Sequence, residues 1–357
     1  MKHLISPDKV SSIGLDIDAH EVRAVQLQKN SDSTSVSAWA IFPRMNQGDE
    51  SQGDHPEVQA DEMSWVASIL ARRGFRGNAV TLAPSSSVCS QHVFELPPPQ
   101  SGAPLEQLAR IEVARERRCT PNEIELGFWP LPAKGRVHES FSVACPRTEI
   151  AAQIGRTEDG GLDAAGMDLV ELALARSAQA SCSLGKSTAE NEINALLHVG
   201  WNNSLAILTL GGTIVYIRRI EHGVHDVWSL ARGRYGLGLR AARSVLGEFV
   251  PQEKSDQHDR ISRMCWSNRC GELAGELDVA IAYVSHSFRM APLGRVITSG
   301  YGANNLALAE YVDQILGIPM VQCTPMPLLG VMGDLPDRDV LAPRLSLAYG
   351  LAARFDQ

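Results

Sequence analysis

The sequence predicts an α/β fold of two lobes built on one repeated unit, with a small α/β module inserted into the first. Three observations carry this. The chain has 357 residues, more than one hydrophobic core ordinarily serves. A meander of three strands opens it at residues 12–43 and recurs from residue 194, with turns at Gly200 and Gly211–Gly212. Between the two, residues 86–146 read as strand, helix, strand, strand, a pattern that belongs to neither meander.

Taken in order, "IGLDI" is a buried apolar strand, "VRAVQLQ" alternates apolar and polar residues, and residues 34–43 form a third strand that stops at Pro43. "MNQGDESQGDHPE" holds too little apolar surface to pack and is read as a loop. Asp61 then caps a helix with Met63, Val66, Ile69 and Leu70 at helical spacing and Gly74 as its stop. "NAVTLAP" is a short buried strand. Three strands, a helix and a strand are the opening of a ribonuclease-H-like unit.

In the inserted module, "SSSVCSQHVFELPPP" carries a strand into a proline stop. "LEQLARIEVARERR" is an amphipathic helix with Leu105, Leu108, Ile111 and Val113 or Ala114 inward. "IELGFWPLP" and "ESFSVACP" add two strands. The chain returns through a helix, a strand at "MDLVEL" and a helix to about residue 181, and the polar "SLGKSTAENE" joins the lobes.

After the second meander, helical stretches at about 225–249 and 268–289 precede "RVITSGYGANNLALAEYVDQILGIPMVQCTP", read as a strand, a Gly-rich turn, a helix over 305–316 and an edge strand. "RLSLAYGLAARF" closes the chain as a short amphipathic helix. The predicted domains are a first-lobe core at 1–85 and 147–185 with the final helix 343–355, the module at 86–146, and a second lobe at 190–342 with a helical insertion at 225–290.

Forty-one acidic against 33 basic side chains leave a net charge of -8, which argues against nucleic acid or anionic lipid as the main partner and leaves room for a local basic patch. No apolar run approaches the roughly 20 residues of a membrane span, and "MKHLISPDKV" lacks a signal-peptide core. A cytoplasmic protein is expected. The seven scattered cysteines read as reduced thiols, and "CWSNRC" has no zinc-knuckle spacing. There is no G-x-S-x-G, H-E-x-x-H or Walker loop.

The repeated meanders, together with "IGLDI..HEVRAVQL", the run "AVTLAPSSSVCSQHVFELPP" into "LEQLARIEVARERRCTPNEIEL", and "VITSGYGANNLALAEYVDQILGIPM", resemble the actin, sugar kinase and Hsp70 superfamily. Within it the chain is similar to PilM, the actin-like protein of type IV pilus assembly and a relative of FtsA. The middle run weighs most, because it looks like the subdomain that PilM and FtsA insert in place of actin's own.

That resemblance implies a nucleotide site made of a D-x-G turn with a basic residue five positions past the glycine, a second D-x-G turn, and an S-G-G-G motif. Each glycine lets backbone N–H groups approach phosphate, and the acids order Mg²⁺. Here the first turn reads Asp16, Ile17, Asp18 with Arg23 at the basic position, the second His198, Val199, Gly200, and the third Ser299, Gly300, Tyr301, Gly302. Every motif departs once. Asp16 would hold Mg²⁺ only if ATP binds, and Asn202 and Asn203 are further phosphate donors or plain turn residues. ATP with Mg²⁺ is therefore expected to bind weakly or not at all.

Asp18 also reads as a turn former, His198 as a hydrogen-bonded core histidine, and Tyr301 as a filler of the adenine space. The favoured function is a non-catalytic scaffold, recruited to the inner face of the inner membrane by the cytoplasmic N-terminal tail of a PilN-like membrane protein. Phe94, Leu108 and Ile111 are the candidate tail contacts, with core packing as the competing reading. No nucleic acid and no direct membrane insertion are expected, and self-association is left open. The alternatives are an active ATPase or small-molecule kinase, and a detached GspL-like cytoplasmic subunit of a type II secretion system.

Overall fold

The computed structural model describes residues 9–29, 33–45, 58–132, 138–182, 192–249, 256–288, 291–335 and 337–356. In chain order the first lobe begins with strands β1 (Lys9–Val10), β2 (Ile13–Ile17), β3 (Glu21–Lys29) and β4 (Thr34–Pro43), then helix α1 (Ala60–Arg72) and strand β5 (Ala79–Leu82). The module follows as β6 (Ser90–Glu95), α2 (Leu105–Arg117), β7 (Ile124–Pro130) and β8 (Glu139–Pro146). The chain re-enters the first lobe as α3 (Arg147–Asp159), β9 (Asp163–Met167) and α4 (Val170–Cys182).

The second lobe holds β10 (Ile193–Val199), β11 (Ser204–Leu210), β12 (Thr213–Ile220), α5 (His225–Ser229), α6 (Leu239–Val245) and α7 (Asp256–Ser287). It continues with β13 (Leu293–Gly300), α8 (Leu306–Leu316), β14 (Met320–Gln322) and α9 (Met326–Met332), before α10 (Arg338–Arg344) and α11 (Ser346–Ala352) end the described fold.

The repetition expected from the sequence is present strand for strand. The first sheet runs β4-β3-β2-β5-β9 with β1 also on β3, and the second runs β12-β11-β10-β13-β14. In both, the meander pairs antiparallel and the last two strands add in parallel. The module is a separate three-stranded sheet, β6-β8-β7. The architecture is an α/β actin-like fold.

Four expectations need correction. The strand placed at "MDLVEL" is β9, Asp163–Met167, because α4 begins at Val170. The second helical stretch begins at Asp256, and the first is broken into α5, a π-helical turn at Leu230–Arg234 and α6. In α2 the inward face is Ala109, Val113 and Ala114, while Ile111 is 50% exposed; small residues let the helix lie close on so narrow a sheet. Leu105 and Leu108 are partly buried at its flank.

The last correction concerns the closing helix, which is not amphipathic: all seven residues of α11 are buried. It lies against α4, β2 and β3 and reaches β13 of the second lobe. A Cβ on Gly350 would stand 1.8 Å from the Ala173 carbonyl oxygen, and one on Gly14 would stand 2.0 Å from that of Ala348. Only glycine permits these approaches.

Candidate functional site

The β2–β3 and β10–β11 turns face each other across a cleft of about 360 Å³ lined by Asp16, Asp18, Arg23, His198, Gly200, Asn202 and Asn203, among others. Of the residues read as site candidates these seven converge. Ser299 sits one strand behind them, where its hydroxyl meets His198 Nδ1 at 2.9 Å. Gly300 at the end of β13 and Gly302 in the turn after it both take positive φ, and Gly302 lies so close to the Trp266 ring that a Cβ would stand 2.3 Å away.

Asp18 organises the first turn. Its Oδ1 accepts the backbone N–H groups of His20 and Glu21 at 2.7 and 2.8 Å, the local bonding that makes aspartate a turn residue. Its Oδ2 accepts from the Arg23 guanidinium at 2.5 Å and from the Tyr301 hydroxyl at 3.1 Å. The amides and the cation that a phosphate would require are thus taken by a carboxylate of the chain itself. Burial opposes its charge, but Arg23 and the two amides prevail and hold the Asp18 carboxyl below its ordinary range.

Arg23 is shared three ways, also donating to Asp16 Oδ2 at 2.8 Å and to Glu21 Oε1 at 2.7 Å. One carboxylate oxygen of Asp16 is therefore taken by a guanidinium. Burial raises its carboxyl above the ordinary value although Arg23 pulls the other way. The residues present do not offer Mg²⁺ or a triphosphate an uncommitted first turn.

The network continues into the second lobe through residues the sequence reading did not single out. Arg344 of α10 pairs with the other oxygen of Glu21 and donates to the Glu248 carbonyl at 3.0 Å. Glu248 accepts from Arg243 Nε at 2.7 Å and meets His20 Nε2 at 3.1 Å. Although ligand-type atoms of His20, Glu21 and Glu248 lie within 4.8 Å of one another, three arginines, Arg23, Arg243 and Arg344, already neutralise the acids. The His20 ring stacks on Trp201 with centroids 4.2 Å apart. Arg44 braces the turn from below, donating to both oxygens of Glu62 and to the Asp18 carbonyl.

Tyr301 is 1% exposed and stands between Arg23 and Arg344, their carbons 4.9 and 5.5 Å from its ring centre. Burial and the neighbouring acids push its hydroxyl well above the ordinary value, so it remains a proton donor to Asp18. It fills the centre of the interlobe contact. His198 is held neutral: burial, then Arg23, lower its imidazole to about 3.

The candidate tail contacts lie in the module. Phe94 packs at the edge of the small core under α2, with Val113, Ala114, Ile124 and Ala144, while Leu108 is partly buried and Ile111 exposed. Strand β6 ends the module's sheet, and Val93 upon it is 52% exposed.

Comparison with known proteins decides the family. The model of the family described as "Type IV pilus assembly protein PilM" matches residues 14–355. The chain belongs to the PilM family. Among solved structures, one described as the PilM-PilN type IV pilus biogenesis complex superimposes with a TM-score of 0.75 at 19% identity, over 97% of this chain and 99% of that one. The ethanolamine utilization protein EutJ from Carboxydothermus hydrogenoformans follows at 0.52 and 13% identity, over 97% and 91%. An archaeal actin homolog in complex with ADP aligns at 0.46 and 12% identity, over 97% and 99%. No curated protein sequence matches. Among the described residues no helix is long and apolar enough to cross a membrane.

Proposed function

We propose that this PilM-family chain is a non-catalytic scaffold of a type IV pilus or related assembly platform, held at the inner face of the inner membrane by the cytoplasmic tail of a PilN-like protein. The observation that carries the non-catalytic part is Asp18, whose carboxylate takes the turn amides and Arg23. A phosphate oxygen about 4 Å from that carboxylate would meet a repulsion on the order of 4 kcal/mol, close to a thousandfold in affinity, unless a cation bridges the two. The second turn offers His198, uncharged and bonded to Ser299, where an acid would order water for hydrolysis.

Tail capture needs no nucleotide chemistry. An extended peptide can pair with a free strand edge and place alternate side chains in pockets. The β6 edge supplies the backbone, and Phe94, Leu108 and Ile111 supply apolar contacts. Two or three buried side chains at about 1.5 to 3 kcal/mol each suffice for micromolar binding after ordering costs. The similarity to a solved PilM-PilN complex supports this choice of partner.

Calorimetry with ATP, with and without Mg²⁺, tests the first half: weak or undetectable binding and no hydrolysis above background are expected. Micromolar binding with steady turnover would overturn it. A synthetic PilN-like tail tests the second, and Ile111→Asp should abolish its binding with circular dichroism unchanged.

A further inference from the structure

On the second lobe, beside its contact with the first through Trp228 and His20, the chain gathers exposed cations although the protein as a whole is acidic. The π-helical turn Leu230–Arg234 packs against the first half of α7, and between them opens a cleft lined by Arg234, Tyr235, Arg260, Arg263 and Met264. Arg260, Arg263 and Ser267 share one face of α7 by helical spacing. Arg232 and Arg240 flank the cleft along the same segment, and all five arginines are exposed. None of the five makes an ion pair among the described residues. Arg232, Arg234 and Arg240 lie instead over the rings of Trp228, Tyr235 and Phe249.

Two carboxylates, Asp256 and Asp259, share the cleft wall. They occupy the first turn of α7, where the positive end of the helix offsets part of their charge. Apolar side chains stand among the cations, with Leu239 54% and Met264 45% exposed. Guanidiniums interleaved with exposed aliphatic groups suit the headgroup layer of an anionic bilayer, where arginine meets phosphate and the aliphatic groups reach the acyl boundary.

The geometry points to this surface as a peripheral docking surface for anionic phospholipid, a second and weaker contact that orients the scaffold on the inner leaflet. With a net charge of -8 over the whole chain, an anionic surface repels the remainder of the molecule and attracts this face. The charge asymmetry fixes which face approaches. The choice of lipid as the surface rests on the scaffold reading, which places the chain beside a membrane protein.

Full-length protein is mixed with vesicles of phosphatidylglycerol and phosphatidylcholine in equal parts, or of phosphatidylcholine alone, and sedimented. Binding to the anionic vesicles at low salt, none to the zwitterionic ones, and release at about 0.5 M salt are expected. Each arginine near such a surface is worth about fivefold in partitioning, so Arg234→Gln, Arg260→Gln and Arg263→Gln together should weaken it roughly a hundredfold. Leu239→Ser with Met264→Ser should weaken it with the salt dependence kept, a readout that serves if the triple variant misfolds. Arg72→Gln with Arg73→Gln, on α1 of the other lobe, should change nothing. Wild-type protein left in the supernatant with anionic vesicles at low salt, or undiminished binding by the triple variant, overturns the proposal; an acidic protein would then be the partner of this surface. Tail capture is measured with a soluble peptide and no lipid, so the two readings fail separately.

Discussion

Arg23 is the cation shared by the buried carboxylates of Asp16 and Glu21 and the partly buried one of Asp18. Breaking a buried ion network by removing one partner costs about 3–5 kcal/mol, because the charges left behind are uncompensated. Arg23→Ala should lower stability by that amount in denaturant titration; an unchanged midpoint would mean that water replaces the guanidinium freely. Removing the internal anion has the opposite use. Asp18→Gly with His198→Asp should raise affinity for ATP, since it frees the amides of His20 and Glu21 and restores an acid in the second turn. No gain in calorimetry would mean that these turns do not stand where the family's phosphate turns stand. His198 also sets a pH dependence. Its folded value of about 3 lies below the ordinary 6.5, so its stabilising contribution is complete above 6.5 and is lost as pH falls toward 3. Between pH 7.5 and 5 that is about 2 kcal/mol, and His198→Asn should flatten the slope over this interval.

Among the elements, α11 shows how a pattern can mislead. "LAYGLAA" alternates large and small residues and reads as one apolar face, yet its small residues face protein as well. Gly350 packs on the Ala173 backbone, which cannot move aside as a side chain would. Gly350→Ala should therefore cost about 1–3 kcal/mol or more, visible as a lowered melting temperature, and an unaltered melt would mean that α11 shifts along α4. Strand β9, "DAAGM", was hidden for a related reason: alanine and glycine carry little β propensity, and its place comes from pairing with β5. In α2 the exposed Ile111 is the informative residue, an apolar side chain the module's own core does not use. Ile111→Asp should leave the fold intact and remove tail binding. Leu108→Asp should remove it as well, at some cost in stability because Leu108 is partly buried, and changes at His198 should leave it unaltered.

At the scale of the molecule, the lobes share a buried apolar cluster, in which Leu347 and Leu351 meet Leu205 and Ile297, and polar contacts tie them beside the cleft. Asp18 meets Tyr301, His20 meets Glu248, and Arg344 bridges Glu21 and the Glu248 carbonyl. The module joins from the side, where Trp129 Nε1 donates to the Ile214 carbonyl at 2.7 Å. Deleting the Tyr301 hydroxyl takes one bond from the partly buried Asp18 carboxylate, a loss of about 1 kcal/mol. Tyr301→Phe should speed amide hydrogen exchange in residues 17–21 and 299–302 without affecting the module. Exchange that quickens throughout, or nowhere, would show that the hydroxyl does not couple the lobes.

The sequence by itself determined the repeated meander, the inserted module and the altered turns, because strand periodicity, glycine turns and local motifs are short-range properties. It also held an unread signal: Glu21 and Arg23 alternate on one face of a strand buried on both sides, a placement that charged residues adopt only when paired. Tertiary structure alone decided their partners. Arg344 lies 323 residues from Glu21 and Tyr301 lies 283 from Asp18, and no local pattern links positions so far apart. The same holds for the basic surface, whose arginines from two separate segments come together only when α7 folds against the turn at 230–234. Charge in a sequence is a sum over the chain, whereas what an ion meets is the field of the groups that folding has brought within a few ångströms.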